Sequence, residues 1–399
     1  METTLQKSLK KRLSPNLRGT IVFLVTFFAV GAFMPFVNLA FDQRGLSESQ
    51  IGLYNALPGA ITIISGPILC RLADKKRARV MFTTVGFLML GVFTALMTIP
   101  WGFLWLLSLQ IVYSAFSPPI TPIRDGLAAR MANKYGLDFG NWRLWGSLGF
   151  AVASLVMGMV WQRIGIEWLF LGAAALFLFS GVVVNLLEEP EEDKIIQQTE
   201  LWHQWIPRES MVWLFLSAVF LSNLAQQAFY QFSAIHMIRL GGSETMAGMM
   251  RSASAVVEIP TMYLVSKLIR KIGPMWAFLI GASIFALSWL GFSLATAGWM
   301  LIAITAFRGI GFGFTAVSAV VYIDSKARVS EVASYQGLMN ILAFGLAPLI
   351  AGPVFGSLAQ SLGLPAMFGV ASGVGWSAAA VCIVILLLQR RQRQMNKTD

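Results

Sequence analysis

Apolar stretches of about 20 residues recur along the chain with short polar punctuation between them, the length a helix needs to cross a bilayer's ~30 Å hydrocarbon layer. They fall at residues 19–41, 50–70, 80–99, 102–124, 143–162 and 166–187, and resume at 211–237, 246–267, 275–296, 299–322, 332–359 and 365–388. The pattern predicts an all-α membrane protein of twelve helices, two bundles of six at 19–187 and 211–388. Short connections inside each bundle fit antiparallel neighbours. Between the bundles, residues 188–210 hold Glu188, Glu189, Glu191, Glu192, Asp193 and Glu200. That segment is too polar for lipid and too short to fold alone, so it reads as a solvated linker, with Trp202 and Trp205 suited to the interface. Residues 1–18 and 389–399 read as tails. The first apolar run exceeds the ~7–15 residues of a secretory signal and no small-residue cleavage site follows it. A permanent first span is expected.

Composition narrows the class. Of 399 residues, 56% are apolar and 12% charged, against about 25% charged in soluble domains; a soluble multidomain enzyme is excluded. A net charge of +11 would suggest nucleic acid in a soluble protein, but its distribution says otherwise. Basic residues gather at Lys7–Arg18, Arg71–Arg79, Arg130 and Lys134, Lys267–Lys271, Lys326 and Arg328, and Arg390–Lys397, while the alternate loops hold only Arg44, Arg163 and Arg239. That asymmetry is the positive-inside pattern. It predicts cytoplasmic termini in a bacterial inner membrane, with lipid rather than nucleic acid as the partner. Cys70, Cys382, His203 and His236 form no ligand spacing, so no metal or cofactor is expected.

A repeat organises the chain. Gly45-Leu46-Ser47-Glu48 before the second span is echoed by Gly241-Gly242-Ser243-Glu244 before the eighth, 196 positions later. The same offset carries Leu72 to Leu268 and Lys75 to Lys271. Ser47 and Ser243 are expected to cap the following helices, with Glu48 and Glu244 in the first turn. A six-plus-six duplication is a transporter architecture.

The segment Phe116-Ser117-Pro118-Pro119…Asp125…Leu137-Asp138-Phe139-Gly140-Asn141-Trp142-Arg143-Leu144-Trp145-Gly146-Ser147, with Phe28…Gly31…Met34-Pro35-Phe36 and Phe232-Ser233-Ala234-Ile235, resembles the major facilitator superfamily. The likeness is to its branch of phenylpropionate and lactose permeases and spans nearly the whole chain. The superfamily's loop motif between spans two and three is degraded. Asp74 and Lys75 match, but Cys70 and Arg77 stand where glycines are wanted. Asp74 and its cations either latch a cytoplasmic helix end as a gate or form a solvated charge run.

Charges inside spans carry the functional reading, because each costs about 2.5–3.5 kcal/mol at the bilayer centre and needs a partner or a cavity. Asp125, after the helix-disrupting Pro118, Pro119 and Pro122, and Arg143 match, by resemblance, the acid and arginine with which lactose permease holds its substrate; an inner-gate ion pair is the alternative. Arg124 is expected to reach inner water by snorkelling. Glu258 and Arg251 lie seven residues apart on one helical face, ~10.5 Å along the axis, able to bracket a solute. Glu258 and Asp125 are the candidates for proton coupling, or else static ion-pair partners. Arg308 stands where relatives carry histidine; it cannot relay protons as histidine does, but suits a carboxylate or a permanent gate with Glu258. Asn223, Gln226, Gln227 and Tyr230 form one polar stripe, and Tyr113 and Asn340 are further lining candidates, with helix–helix hydrogen bonding as the alternative for each.

These features predict a proton-coupled symporter of a small organic solute, a carboxylate with aromatic ones among the candidates, working by alternating access as a monomer. A sugar or nucleoside symporter and an efflux carrier are the alternatives. An enzyme would need a convergent nucleophile and base or a metal cluster, and none is visible.

Overall fold

The computed structural model describes residues 13–189, 207, 209–328 and 331–398. The greater part of the expected linker, including Glu191, Glu192, Asp193, Glu200, Trp202 and Trp205, lies outside the described residues, as do residues 1–12 of the expected N-terminal tail. The first six long helices are α1 (Pro15–Gln43), α2 (Glu48–Lys75), α3 (Arg79–Leu96), α4 (Phe103–Lys134), α5 (Phe139–Ile164) and α6 (Ile166–Leu186). The second six are α7 (Ser210–Arg239), α8 (Glu244–Ile272), α9 (Pro274–Leu294), α10 (Gly298–Lys326), α11 (Ser334–Leu362) and α12 (Leu364–Thr398). The expected C-terminal tail is thus a continuation of α12 as far as residue 398.

Eleven of these helices are long and apolar enough to cross a membrane; α8 is not among them. Its physical reason is the reading of the functional charges itself: Arg251, Glu258, Lys267, Arg270 and Lys271 all ride on this one helix. Three helices are interrupted where prolines forbid regular hydrogen bonding. A turn at Met34–Phe36 divides α1 and a break at residues 117–119 divides α4. In α11, Ile341–Leu346 widens into a π-helical turn just before Pro348, which cannot donate to the carbonyl four residues back. Both predicted caps form: Ser47 Oγ accepts from the Gln50 amide at 3.3 Å and Ser243 Oγ from the Met246 amide at 3.3 Å.

The described residues divide into two compact units. Unit 1 takes the described residues within 1–46, 60–196 and 243–252; unit 2 takes those within 47–59, 197–242 and 253–399. The N-terminal ends of α2 and α8 thus each fall in the unit that holds most of the other six helices. Glycine permits this. A Cβ on Gly52 would strike the carbonyl of Gly352 in unit 2, and one on Gly248 the carbonyl of Ser154 in unit 1. Gly52 and Gly248 are themselves one repeat offset apart. Within unit 1, Gln43 donates to Glu244 at 3.2 Å; within unit 2, Arg239 donates to Glu48 at 2.6 Å. Those two contacts use the same four repeat positions, so the duplication read from loops extends to tertiary packing.

Unit 1 has an aromatic core, with Phe33 edge-on to Phe170 and Phe177 and the fully buried Trp142 anchored to Asn16 Oδ1 at 2.8 Å. Unit 2 packs Phe215 against Phe278 and Tyr322, and gathers Phe229, Trp289 and Phe292 in a second buried group.

Candidate functional site

Unit 1 gathers two arginines on one aspartate. The proline break restarts α4 at Ile120, one turn before Arg124 and Asp125. Arg124 donates to Asp125 Oδ1 through Nε at 3.0 Å and Nη2 at 2.8 Å, and through Nη1 to Thr26 Oγ1 of α1 at 3.1 Å. Thr26 gives its own proton to the Val22 carbonyl at 2.7 Å, so a lone pair is left for the guanidinium. Arg143 of α5 donates to the other oxygen, Oδ2, at 3.1 Å. Aromatic faces complete the setting: Arg124 lies 4.9 Å from the Phe23 ring and 4.7 Å from Phe27, and Arg143 lies 4.8 Å from Phe27. Such cation–π contacts strengthen as water is removed. Two cations face one anion.

The expectation for Arg124 is overturned. Its side chain is 3% exposed and turns inward to Asp125 and Thr26 instead of snorkelling, because a carboxylate and two rings compensate its desolvation locally. Asp125 is 26% exposed and Arg143 46%, so the cluster has a closed side at Arg124 and an open side at Arg143.

Unit 2 gathers its polar groups around Arg308 of α10, 2% exposed. Nη1 donates to Ser254 Oγ at 2.8 Å, and Ser254 donates onward to Glu258 Oε1 at 2.6 Å. The direct Arg308–Glu258 separation is 3.4 Å, so the serine carries the shorter link between cation and acid. Nη2 donates to Gln226 Oε1 at 2.9 Å and Tyr230 Oη at 3.2 Å, both from α7. Phe229 lies under the guanidinium at 4.3 Å. Nε has no hydrogen-bond partner among the described residues. Glu258 keeps 23% exposure, so the acid, not the base, faces the open side.

At the basic ends of unit 1, two acids expected in the solvated linker are instead engaged. Glu188 meets Arg18 at 2.9 Å, Lys134 at 3.0 Å and the Tyr135 hydroxyl at 2.9 Å. Burial pushes this carboxyl up, but the bonds from Lys134, Tyr135 and Arg18 outweigh it and hold it below the ordinary carboxylate value. Glu189 accepts from the backbone amides of Arg79 and Val80 at 3.2 and 2.9 Å, capping α3. Asp74 accepts from Arg79 Nε at 2.6 Å, whereas Lys75 is exposed. Arg77 adopts φ +49°, the left-handed region, alone among the described non-glycine residues.

Residues 17–369 match the MFS_1-like family. The chain belongs to that family. Its members are membrane transporters, not enzymes, and this one is an integral membrane transporter of the major facilitator fold. It is 28% identical to the "Probable 3-phenylpropionic acid transporter" of Escherichia coli (strain K12), over 92% of this chain and 95% of that protein. It is 25% identical to the "Maltose permease" of Geobacillus stearothermophilus, over 94% of each. The structure superimposes on a mutant of the nucleoside transporter NupG with TM-score 0.84 at 15% identity, covering 93% of this chain and all of that one, a likeness of fold.

In this MFS_1-like transporter the structure joins Asp125 to Arg143, and Glu258, Arg308, Gln226 and Tyr230 to one another. Arg251 is buried, 8% exposed, in the segment that belongs to unit 1, and the partner of Glu258 is Arg308. Asn223 donates to its own helix at the Val219 carbonyl, 2.9 Å. Gln227 and Tyr113 are half-buried, Tyr113 with its ring 6.4 Å from Phe33. Asn340 is exposed at the start of the widened turn. Sequence reasoning missed Thr26, Ser254 and the role of Arg124. Ser254 was visible as the residue one turn before Glu258, on the same face; Thr26 gave no such sign.

Proposed function

We propose that this transporter imports a small organic carboxylate, an aromatic one fitting best, by proton-coupled symport with alternating access. The observation that carries the reading is the charge count in unit 1: Arg124 and Arg143 against Asp125 leave one positive charge in excess, in a segment where uncompensated charge is costly. An anionic solute supplies the missing charge, and Phe27, shared by both guanidinium groups, offers an aromatic solute a face to pack on. The relative named for 3-phenylpropionic acid supports the same chemistry. Glu258 and Asp125 are the protonatable acids, since protonation of either removes a partner from a buried arginine and so changes the relative stability of two states. The Asp74 and Glu189 contacts with Arg79 serve as the gate on the basic side. The basic loops support cytoplasmic termini in a bacterial inner membrane, and one duplicated chain works as a monomer.

The maltose permease relative favours a second reading, neutral sugar symport. Purified protein in liposomes decides between them. Under an inwardly directed proton gradient, labelled 3-phenylpropionate should accumulate above equilibrium and maltose should not. Maltose accumulation without carboxylate accumulation overturns the proposal. Collapse of the gradient with an ionophore should abolish accumulation; persistence would mean another driving ion.

A further inference from the structure

We infer that the basic-side ends of α8, α9 and α12 form a binding site for an anionic phospholipid with two phosphates, its headgroup held by Lys267, Arg270, Lys271, Arg390 and Arg391. The site lies within unit 2 and shares no residue with the charge centres around Asp125 and Arg308. Its three helix ends are packed together. Val265 and Ile269 of α8 meet Ala277 in the first turn of α9. Arg390 of α12 lies over the ring of the preceding α9 residue, Trp276, 6.0 Å from its centroid. Deeper in the membrane, Ser372 Oγ of α12 donates to the Ala286 carbonyl of α9 at 2.8 Å. Lys267, Arg270 and Lys271 lie three and four positions apart, so one face of α8 carries them. All five cations are exposed.

What distinguishes this group is that the chain supplies it with no anion. Residues 259–294 and 364–398 contain no aspartate or glutamate. Among the described residues, none of the five cations has a carboxylate within ion-pair distance. Elsewhere on the basic side, cations meet acids. Arg18 and Lys134 share Glu188, Arg79 meets Asp74, and Lys326 of α10 engages Glu209 at the start of α7. Gathering like charges at adjoining helix ends is unfavourable by itself. Basic pockets between membrane helices relieve that repulsion by taking lipid phosphates.

Depth and polarity favour a lipid over a soluble anion. Lys267 Nζ lies 4.3 Å from the ring of Tyr263, which is 65% exposed, and Trp276 is 41% exposed. Exposed tyrosine and tryptophan settle at the headgroup level, so each ring fixes the depth of the cation it carries. α12 runs for 35 residues, roughly 50 Å at the helical rise, and its last turns therefore stand beyond the ~30 Å hydrocarbon layer. One or two turns deeper than the cations, Leu264, Ile383 and Leu387 are exposed and offer acyl chains an apolar surface. A soluble phosphate would use the charges alone, whereas a lipid uses both layers. The cations form two groups, one on α8 and one on α12, each beside α9. That division matches two phosphates better than one.

Native mass spectrometry of the full-length protein in detergent tests the site. The probes are tetraoleoyl diphosphatidylglycerol, dioleoyl phosphatidylglycerol, dioleoyl phosphatidylcholine and glycerol 3-phosphate. Diphosphatidylglycerol should bind tightest, at least about tenfold tighter than phosphatidylcholine, and glycerol 3-phosphate should not be retained. Lys271→Gln and Arg390→Gln should each weaken diphosphatidylglycerol binding about fivefold, the effect of one cation at a membrane surface. Lys271→Arg should keep it. Lys75→Gln combined with Lys76→Gln, at the end of α2 beside Asp74, should leave it unchanged. These side chains are exposed, and equal melting temperatures without lipid check that every variant folds. Equal loss in the α2 variant would show a diffuse basic surface and overturn the site. So would equal affinity for phosphatidylcholine, or full affinity in both Lys271→Gln and Arg390→Gln. Phosphatidylglycerol binding as tightly as diphosphatidylglycerol overturns the two-phosphate assignment, and glycerol 3-phosphate binding as tightly as lipid would make this a soluble-anion site instead.

Discussion

The two charge centres solve one problem in opposite ways. In unit 1 a half-open carboxylate is shared by two arginines, of which one is sealed and one reachable. In unit 2 a single sealed arginine is balanced by a single half-open acid, joined chiefly through Ser254. The first has two cations to one anion. The second is neutral as built, and its cation is so enclosed by Phe229, Gln226 and Tyr230 that only the acid can change state cheaply. A proton added to Glu258 leaves Arg308 with neutral partners alone. The pair is thus matched charge for charge, while the triad has two cations to one anion.

Arg308→Gln should have the largest effect, because it strands Glu258 and unties both α7 and α8 from α10. Breaking a buried pair costs about 3–5 kcal/mol, and the partial exposure of Glu258 puts the lower end of that range in view. Thermal denaturation in detergent should show a drop of several degrees and uptake should vanish. If Arg308→Gln melts like wild type, unit 2 is not the balanced centre described here. Glu258→Gln is gentler to the fold, since an amide still accepts from Ser254. It should abolish uphill accumulation while exchange down a gradient continues; unchanged accumulation would remove Glu258 from the coupling.

These contrasts were only partly legible in the sequence. Apolar run length gave the twelve helices, and the scarcity of charge inside them singled out Asp125, Arg143, Glu258 and Arg308. The polar stripe on α7 was visible, but period alone could not separate Gln226 and Tyr230, which reach Arg308, from Asn223, which satisfies its own helix. Arg124 was misread because a long cationic side chain near a span end usually finds water, and only tertiary packing reveals Thr26 and the two rings waiting for it. Glu188 and Glu189 were misread for the reverse reason: an acidic run looks solvated until its partners, distant in sequence, are folded beside it.

Glu188 supplies a smaller test, on the basic side of unit 1. Its carboxyl is held below the ordinary value in the folded protein. The stability it contributes is therefore present in full above the unfolded value and lost as pH falls through the lowered, folded one. Melting temperature should fall on the acid side in wild type, and Glu188→Gln should start lower at neutral pH with a shallower acid decline. Parallel curves would mean that Arg18, Lys134 and Tyr135 gain nothing from it.

The smallest effect compares the two copies of the repeat at a single backbone position. Arg77 follows α2 with φ +49°, and one repeat offset later Gly273 follows α8 with φ +83°. Both copies must turn sharply there to start the next helix, and only glycine enters the left-handed region without a Cβ clash. The first copy keeps an arginine, exposed and on the basic side, where a cation suits the end of α2. Arg77→Gly should relieve roughly 1–2 kcal/mol of backbone strain, less the few tenths to 1 kcal/mol a charge gives at a helix end and glycine's greater unfolded freedom. The net expectation is a small rise in melting temperature with uptake unchanged. Gly273→Arg, made in the second copy, should lower it by more, because there a Cβ enters a conformation the present residue adopts freely and the last turn of α8 already carries Arg270 and Lys271. Equal and opposite shifts would show that the two loops differ in conformation alone; a larger loss at Gly273 would show that a further cation beside Arg270 and Lys271 adds to the strain.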